Sequence, residues 1–374
     1  MAEVYADRRA RLRERCSAAG SGAALVSRPA NVRYLAGGAP PGAVLLLGAR
    51  PDDDLLLCPR TPAGDPAEGR PDSALRLSVL PSGDGDPAIA AVGALAADGA
   101  DRTAGPLAVE EHHLTVARHR ALGSVAPGLR LTDLGCAVEQ QRIVKDEEEI
   151  GCLRIAAEIA DQALGELLES ILVGRTERHL ALELERRLID HGAEGPAFPT
   201  SVATGPNSGR EAHRPSDRRV EEGDFLTVGL GAEYRGYRCG IARTFVIGTS
   251  PADWQVELYE LVFAAQRAGR EGLLPGVGYR DVDHAARQPL AAAGYAEGLG
   301  ARVGHGVGLE NDEDPQLAPA AMGKLDACVP VTVGPGVHLP GRGGVRIADT
   351  LVVRPEADGG PELLTITTKE LLAL

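Results

Sequence analysis

Two stretches hold most of the groups that could do chemistry: VGHGVGLENDEDP around His305, and VTVGPGVHLPGRGGVRIADT from Val331 to Thr350. His305 carries an imidazole, which titrates near neutral pH and can give or take a proton. Asp312 follows seven positions later and could orient or activate that ring. The alternative is that the ring only packs and the aspartate belongs to a solvated acidic run. His338 sits after a Pro-Gly turn, and as a strand residue it can face either side. Arg346 and Asp349 flank Ala348 and read first as an ion pair. Tyr237, Cys239 and Arg243 share a strand pair, and His213 lies in the run AHRPSD. Cys239 would need a base and a lowered pKa to act as a nucleophile, and nothing adjacent supplies either, so it reads as packing. His112, His113, His119, His179, His191 and His284 fall on helices or surface loops and read as structural.

The elements that must position these groups fall into two blocks. A helix over 3–20 ends in AAGSG, and strand runs follow at 22–27, 43–48 and 54–59. Helix and strand signals then alternate to about residue 138, which predicts an N-terminal α/β domain over 1–138 with a mostly parallel sheet. Residues 60–88 are turn-rich and read as an excursion from the domain. From residue 147 a long helix shows apolar residues at three- and four-residue spacing, and a second covers 177–192. Strands at 225–231, 243–248, 328–334 and 345–353, with helices near 251–274 and 279–294, predict a C-terminal α+β domain over 139–374.

Composition narrows the partners. A formal net charge of −14 argues against a nucleic-acid partner, since phosphate binding rests on cation clusters. Lys145, Lys324 and Lys369 are the whole lysine complement. No apolar run approaches the ~20 residues of a membrane span, and MAEVYADRRARLRERC reads as a charged helix instead of a signal peptide. Six scattered cysteines without a CxxC pair predict free thiols and a cytoplasmic location.

The ordered set GPNSG, RPSDRRVEEGDFLTVGLGAEYRGYRCGIARTF, VGHGVGLENDEDP and VTVGPGVHLPGRGGVRIADT resembles the pita-bread family of Xaa-Pro aminopeptidase, prolidase and creatinase. NVRYLAGG is similar to that family's N-terminal domain and KDEEEIGCLRIAAEIAD to the first helix of its C-terminal domain. The resemblance implies a creatinase-like α/β domain followed by a pita-bread domain, and a homodimer. It also implies two metal ions held by two Asp, one His and two Glu. By position those ligands fall on Gly229, Gly240, His305, Gly334 and Ala348, so one of five survives. The two further histidines of the family fall on Ala212 and Asp312. Glu310 and Glu313 lie on the loop after His305 and do not surround a site from opposing strands.

The expectation is therefore a site with no metal and no cofactor. Gly229, Gly240, Gly334 and Ala348 would open volume that His213, Tyr237, Arg243, Arg346 and Asp349 line for a small molecule or peptide. His305, Asp312 and His338 would move protons there. The reading that follows is a metal-independent enzyme performing C–N hydrolysis, elimination, cyclisation or isomerisation on a small organic substrate, in specialised biosynthesis. A non-catalytic binder of a peptide, metabolite or partner protein is its alternative, and a working Xaa-Pro aminopeptidase ranks last.

Overall fold

The computed structural model describes residues 2–59, 71–73, 75–80, 85–97, 105–170, 172–296 and 299–374. The chain divides into two compact units, Met1–Arg142 and Ile143–Leu374.

In the first unit, α1 (Ala2–Ala18) precedes β1 (Ala23–Val26), α2 (Pro29–Ala36), β2 (Val44–Leu47), β3 (Leu55–Cys58) and β4 (Arg76–Val79). Then come α3 (Pro87–Ala97), β5 (Leu107–Val109), α4 (Val116–Val125), β6 (Leu131–Asp133) and α5 (Ala137–Arg142). The helix α2 opens on Pro29, whose fixed φ suits a first turn, and stops at Gly37 with φ 83°. NVRYLAGG is therefore helix and cap. The described strands form one sheet in the order β4-β3-β2-β1-β5-β6. It is mixed, not mostly parallel: β1–β5, β5–β6 and β3–β4 are parallel, but β1–β2 and β2–β3 are antiparallel. The link over 48–54 is too short for a parallel crossover, which takes a dozen residues or more. Of the 60–88 excursion, β4 is a sheet strand, while 60–70, 74 and 81–84 lie outside the described residues.

The second unit opens with α6 (Glu147–Leu168) and α7 (Glu177–Asp190). Asp146 and Glu149 form a reciprocal capping box, which fixes the start of α6. Its Ile150, Leu153, Ala157, Ala160, Leu164 and Leu167 are fully buried against a core that includes Leu226, Val228, Leu230 and Ile241. Those four belong to a long antiparallel ribbon. Strands β7 (Gly195–Pro196) and β8 (Ser201–Thr204) both pair with β9 (Phe225–Tyr234), and β9 pairs with β10 (Tyr237–Val246). After α8 (Asp253–Glu271) and α9 (Tyr279–Ala292) come β11 (Gly304–Gly306), β12 (Glu313–Leu317) and β13 (Pro330–Val333). The hairpin β14 (Gly336–Leu339) and β15 (Gly343–Arg346) follows, then β16 (Asp349–Val352) and β17 (Glu362–Leu363). A second sheet runs β12-β11-β13-β16-β17.

The run 345–353, expected as one strand, is two. The Ala348 amide donates to the Ala242 carbonyl at 3.0 Å, and the Ala242 amide donates back to Ala348 at 3.1 Å. This bridge pulls the chain off the hairpin and onto β10, so β15 and β16 serve different partners.

Candidate functional site

A ring of backbone contacts joins the five positions singled out above. Gly229 is the register partner of Ala242, which bridges to Ala348. Ala348 in turn abuts Gly334: a Cβ placed on Gly334 would stand 2.5 Å from that of Ala348. The Gly334 amide donates to Val303 at 2.8 Å, and two residues on, His305 pairs with Thr332 of β13. The Thr350 hydroxyl donates to the Gly240 carbonyl at 2.9 Å and ties β16 to β10. Gly229, Gly240, His305, Gly334 and Ala348 thus converge although they span 119 positions from first to last (348 − 229).

The glycines do not leave the open volume expected of them. Gly231 and Gly240 are register partners, and together they make a dent in the ribbon. The Phe198 ring fills it: Cε1 would lie 2.7 Å from a Cβ on Gly240 and 2.8 Å from one on Gly231. Ala348 likewise takes the space beside Gly334. Gly229 alone of the three meets a new Cβ at ordinary contact distance, 3.7 Å from Ser201 and 3.9 Å from Ala242. Apolar neighbours fill the ring, as close packing demands.

His305 is set by its own loop. Its Nδ1 lies 3.0 Å from the Gly306 carbonyl, an acceptor only, so Nδ1 carries the proton and the neutral ring keeps its lone pair on Nε2. Burial pulls its pKa below the ordinary imidazole value, opposed by the Gly306 bond and Asp312 and reinforced by the charges of Arg302 and Arg346. Asp312 does not hydrogen-bond to His305 as the acid–base pairing expects. It forms a two-pronged ion pair with Arg302, one arm at 3.0 Å, and accepts from Gln316 at 3.0 Å. Burial would raise the Asp312 pKa, but the bonds from Arg302 and Gln316 outweigh it and hold the carboxyl below its ordinary value. Asp312 reaches His305 only through its field.

The other expected residues separate into two groups. His338 is anchored, its Nδ1 donating to the Ser208 carbonyl at 3.0 Å. Arg346 is solvent-exposed at the end of β15. Arg243, Asp349, His213 and Tyr237 do structural work, contrary to their expected substrate role. Arg243 and Asp349 are fully buried and joined at 2.7 Å, so Arg346 and Asp349 are not the ion pair that their spacing suggests. Gln266, Lys369 and Thr365 join that cluster, at 2.8 Å, 3.0 Å and 3.0 Å from Asp349. His213 binds the buried carboxylate of Glu177 at 2.7 Å, beside Asn207, Ser216 and the Thr204 amide. The Tyr237 hydroxyl donates to Glu149 at 2.9 Å on the capping box of α6. Cys239 is buried, and burial pushes its thiol up to about 12, as its reading as packing requires. Sequence reasoning missed Arg302, Glu211 and Phe198. Only Phe198 left a signal, because two glycines paired across a ribbon call for a large side chain over them.

The ring does not fit two metal ions. Hard dications need several oxygen donors, and four of the five positions offer none. Glu313, the nearby substitute, accepts from Lys145 at 3.0 Å. Among the described residues one trio of donors lies within mutual reach of a single ion, His112, Cys136 and Glu139, and it belongs to the first unit.

Comparison with known proteins places the chain. Residues 151–355 match the model of metallopeptidase family M24, and residues 8–144 match the creatinase/prolidase N-terminal domain. The chain belongs to metallopeptidase family M24. An Xaa-Pro dipeptidase of Pyrococcus horikoshii is 39% identical over 235 residues, which is 63% of this chain and 66% of that protein, just under two thirds of its length. An uncharacterized peptidase of Bacillus subtilis is 35% identical over 72% of this chain and 75% of its own. Among solved structures, an Xaa-Pro dipeptidase from Bacillus anthracis superposes with a TM-score of 0.89 at 30% identity, covering 99% of this chain and 100% of that one. The architecture of this M24 chain is therefore the creatinase N-terminal domain followed by the pita-bread domain.

These relatives overturn the functional expectation. A metal-independent enzyme of small-molecule biosynthesis, with a non-catalytic binder as its alternative, has no counterpart among kin named as dipeptidases and grouped as metallopeptidases. Peptidase activity, ranked last from the sequence, is the reading they favour. This M24 chain keeps the company of enzymes.

Proposed function

We propose that the chain acts on short peptides in which proline follows the first residue, as an Xaa-Pro dipeptidase-like enzyme. The observation that carries this reading is the 39% identity to the Pyrococcus horikoshii Xaa-Pro dipeptidase. The peptide is held at the ring around His305, with the scissile amide facing the imidazole. Burial disfavours the His305 cation, and in the neutral ring Nε2 is a proton acceptor. Asp312, tied to Arg302, tempers that effect through its charge and does not touch the ring. His338, braced by Ser208, lines the neighbouring hairpin.

Free cysteines support a cytoplasmic setting, and among the described residues no helix is long and apolar enough to cross a membrane. We also assign a homodimer by resemblance to the family, which sedimentation would check.

The test is proline release from Xaa-Pro dipeptides and longer Xaa-Pro peptides, with Mn²⁺, Co²⁺ or Zn²⁺ added and with chelator. Release should be measurable for the wild type and fall about 10²–10⁴-fold in His305→Ala. Absence of release under every condition overturns the proposal.

A further inference from the structure

We propose that His112, Cys136 and Glu139 of the first unit form a site for a single zinc-class divalent cation, their ligand atoms all lying within 4.8 Å of one another. The site is separate from the peptide chemistry assigned to His305 and does not depend on it.

The topology brings the three donors to one edge of the sheet. Strands β5 and β6 are parallel neighbours, and Val109 and Asp133 are their last register pair. His112 and Cys136 each lie three residues beyond that pair, in the loops leaving the carboxyl ends of the two strands. Open α/β sheets bind ligands at this edge. Both loops are held. The Leu134 amide donates to the Val109 carbonyl at 2.8 Å, and the His113 and Leu114 amides donate to the Glu110 carbonyl at 2.9 Å each. Gly135, with φ 60°, turns the second loop into α5. Glu139 follows Cys136 by three residues, about one helical turn, and so shares its face. The helix itself is braced: Val138 and Arg142 are buried, Arg142 Nη1 donates to Asn31 at 2.6 Å, and Arg15 Nη1 donates to the Ala137 carbonyl at 2.7 Å.

The donor set is that of zinc. Imidazole nitrogen, thiolate sulfur and carboxylate oxygen bind Zn²⁺ at about 2.0–2.3 Å, so small side-chain rotations bring all three onto one ion. The thiol sets the site apart from one for magnesium or calcium, whose ions take oxygen donors. His112 Nε2 already stands 2.9 Å from Glu139 Oε1. Arg28 and Asn31 hold that same oxygen at 2.9 Å and 2.8 Å, and Asn31 also donates to Glu110 at 2.7 Å. They orient the carboxylate as outer-shell partners orient a metal ligand. Glu139 Oε2 is buried and accepts no hydrogen bond among the described residues, which leaves an oxygen for a cation to complete. Binding takes Cys136 as the thiolate, and its proton leaves to solvent. Thiolate and carboxylate then match the charge of the dication, with Arg28 left on Oε1. His112 and Cys136 are exposed, which gives the ion a way in and keeps a fourth position for water.

Co²⁺, which occupies zinc sites and absorbs in the near ultraviolet when a thiolate binds it, tests this in the reduced, chelator-treated full chain. The thiolate band should saturate at about one Co²⁺ per chain and bleach when Zn²⁺ is added. Cys136→Ser should abolish it. His112→Ala and Glu139→Gln should each weaken Co²⁺ binding at least about a hundredfold, the upper end of what losing an outer-shell partner costs. His305→Ala should leave the band as it is. Zn²⁺ should also shield Cys136 from an aromatic disulfide reagent. Melting curves of the metal-free variants establish that they fold. Cys136→Ser alters an exposed side chain, so its result decides even where Glu139→Gln, with its bonds to Asn31 and Arg28, loosens α5. Absence of the band at saturating Co²⁺, or a band that survives Cys136→Ser, overturns the site. Unchanged affinity in both His112→Ala and Glu139→Gln also refutes it and marks an adventitious thiol only.

Discussion

Adding one methyl group at Gly334 should cost far more than adding one at Gly229, although both glycines stand where the family resemblance places an acidic ligand. At Gly334 the new Cβ meets the Ala348 Cβ at 2.5 Å, and Ala348 cannot retreat because both its amide and its carbonyl are bonded to Ala242. Forced overpacking of this kind costs about 1–3 kcal/mol. At Gly229 the nearest atoms are 3.7 Å and 3.9 Å away, an ordinary contact, so Gly229→Ala should be neutral or gain ~0.5–1 kcal/mol from the stiffer strand. The single tryptophan, Trp254, packs edge-on against Phe225 with ring centroids 5.3 Å apart, so its fluorescence reports on this unit during urea unfolding. With a slope of about 3 kcal/mol per molar urea, a loss of ~2 kcal/mol moves the midpoint by roughly 0.7 M. Ala348→Gly removes the opposing methyl, so the double variant should recover most of the loss, giving a coupling of ~1–2 kcal/mol. If Gly334→Ala unfolds at the wild-type midpoint, or if Ala348→Gly fails to relieve it, the picture of a closed ring is wrong.

Asp349→Ala strands the fully buried Arg243 and should cost ~3–5 kcal/mol in the same assay. Glu177 is held below its ordinary pKa of 4.5: burial, which would raise it, is outweighed by bonds from Ser216, Asn207, His213 and the Thr204 amide. A depressed carboxyl contributes stability above its unfolded pKa and loses it as pH falls through the folded value. The gap between wild type and Glu177→Gln should therefore be ~1.5–3 kcal/mol at pH 7 and narrow steadily in unfolding curves below pH 4.5. With an aromatic disulfide reagent, exposed Cys136 should react in the native protein, while Cys16 and Cys239, their thiols pushed by burial to about 11 and about 12, should react only on unfolding.

Local signals were legible in the sequence, and partners across the ring were not. The start of α6 could be read because apolar residues at three- and four-residue spacing begin there, and the structure adds a capping box between Asp146 and Glu149. The convergence of Gly229, Gly240, His305, Gly334 and Ala348 followed from ordered motifs. What failed depended on register. Asp349 chose Arg243, more than a hundred positions away, over Arg346, because one step of the chain at Ala348 turned the two side chains onto different partners. The space beside Gly240 depended on Phe198, which reaches the ribbon from a separate segment. Periodicity says which face a residue takes, and it cannot say what leans over that face.

Phe198 also fixes what the two paired glycines can accept. A side chain at position 240 or 231 would meet its ring, so the dent between the strands is matched to an aromatic leaning over from another segment. Losing the ring would expose a bare dent between Gly231 and Gly240 and forfeit its contacts.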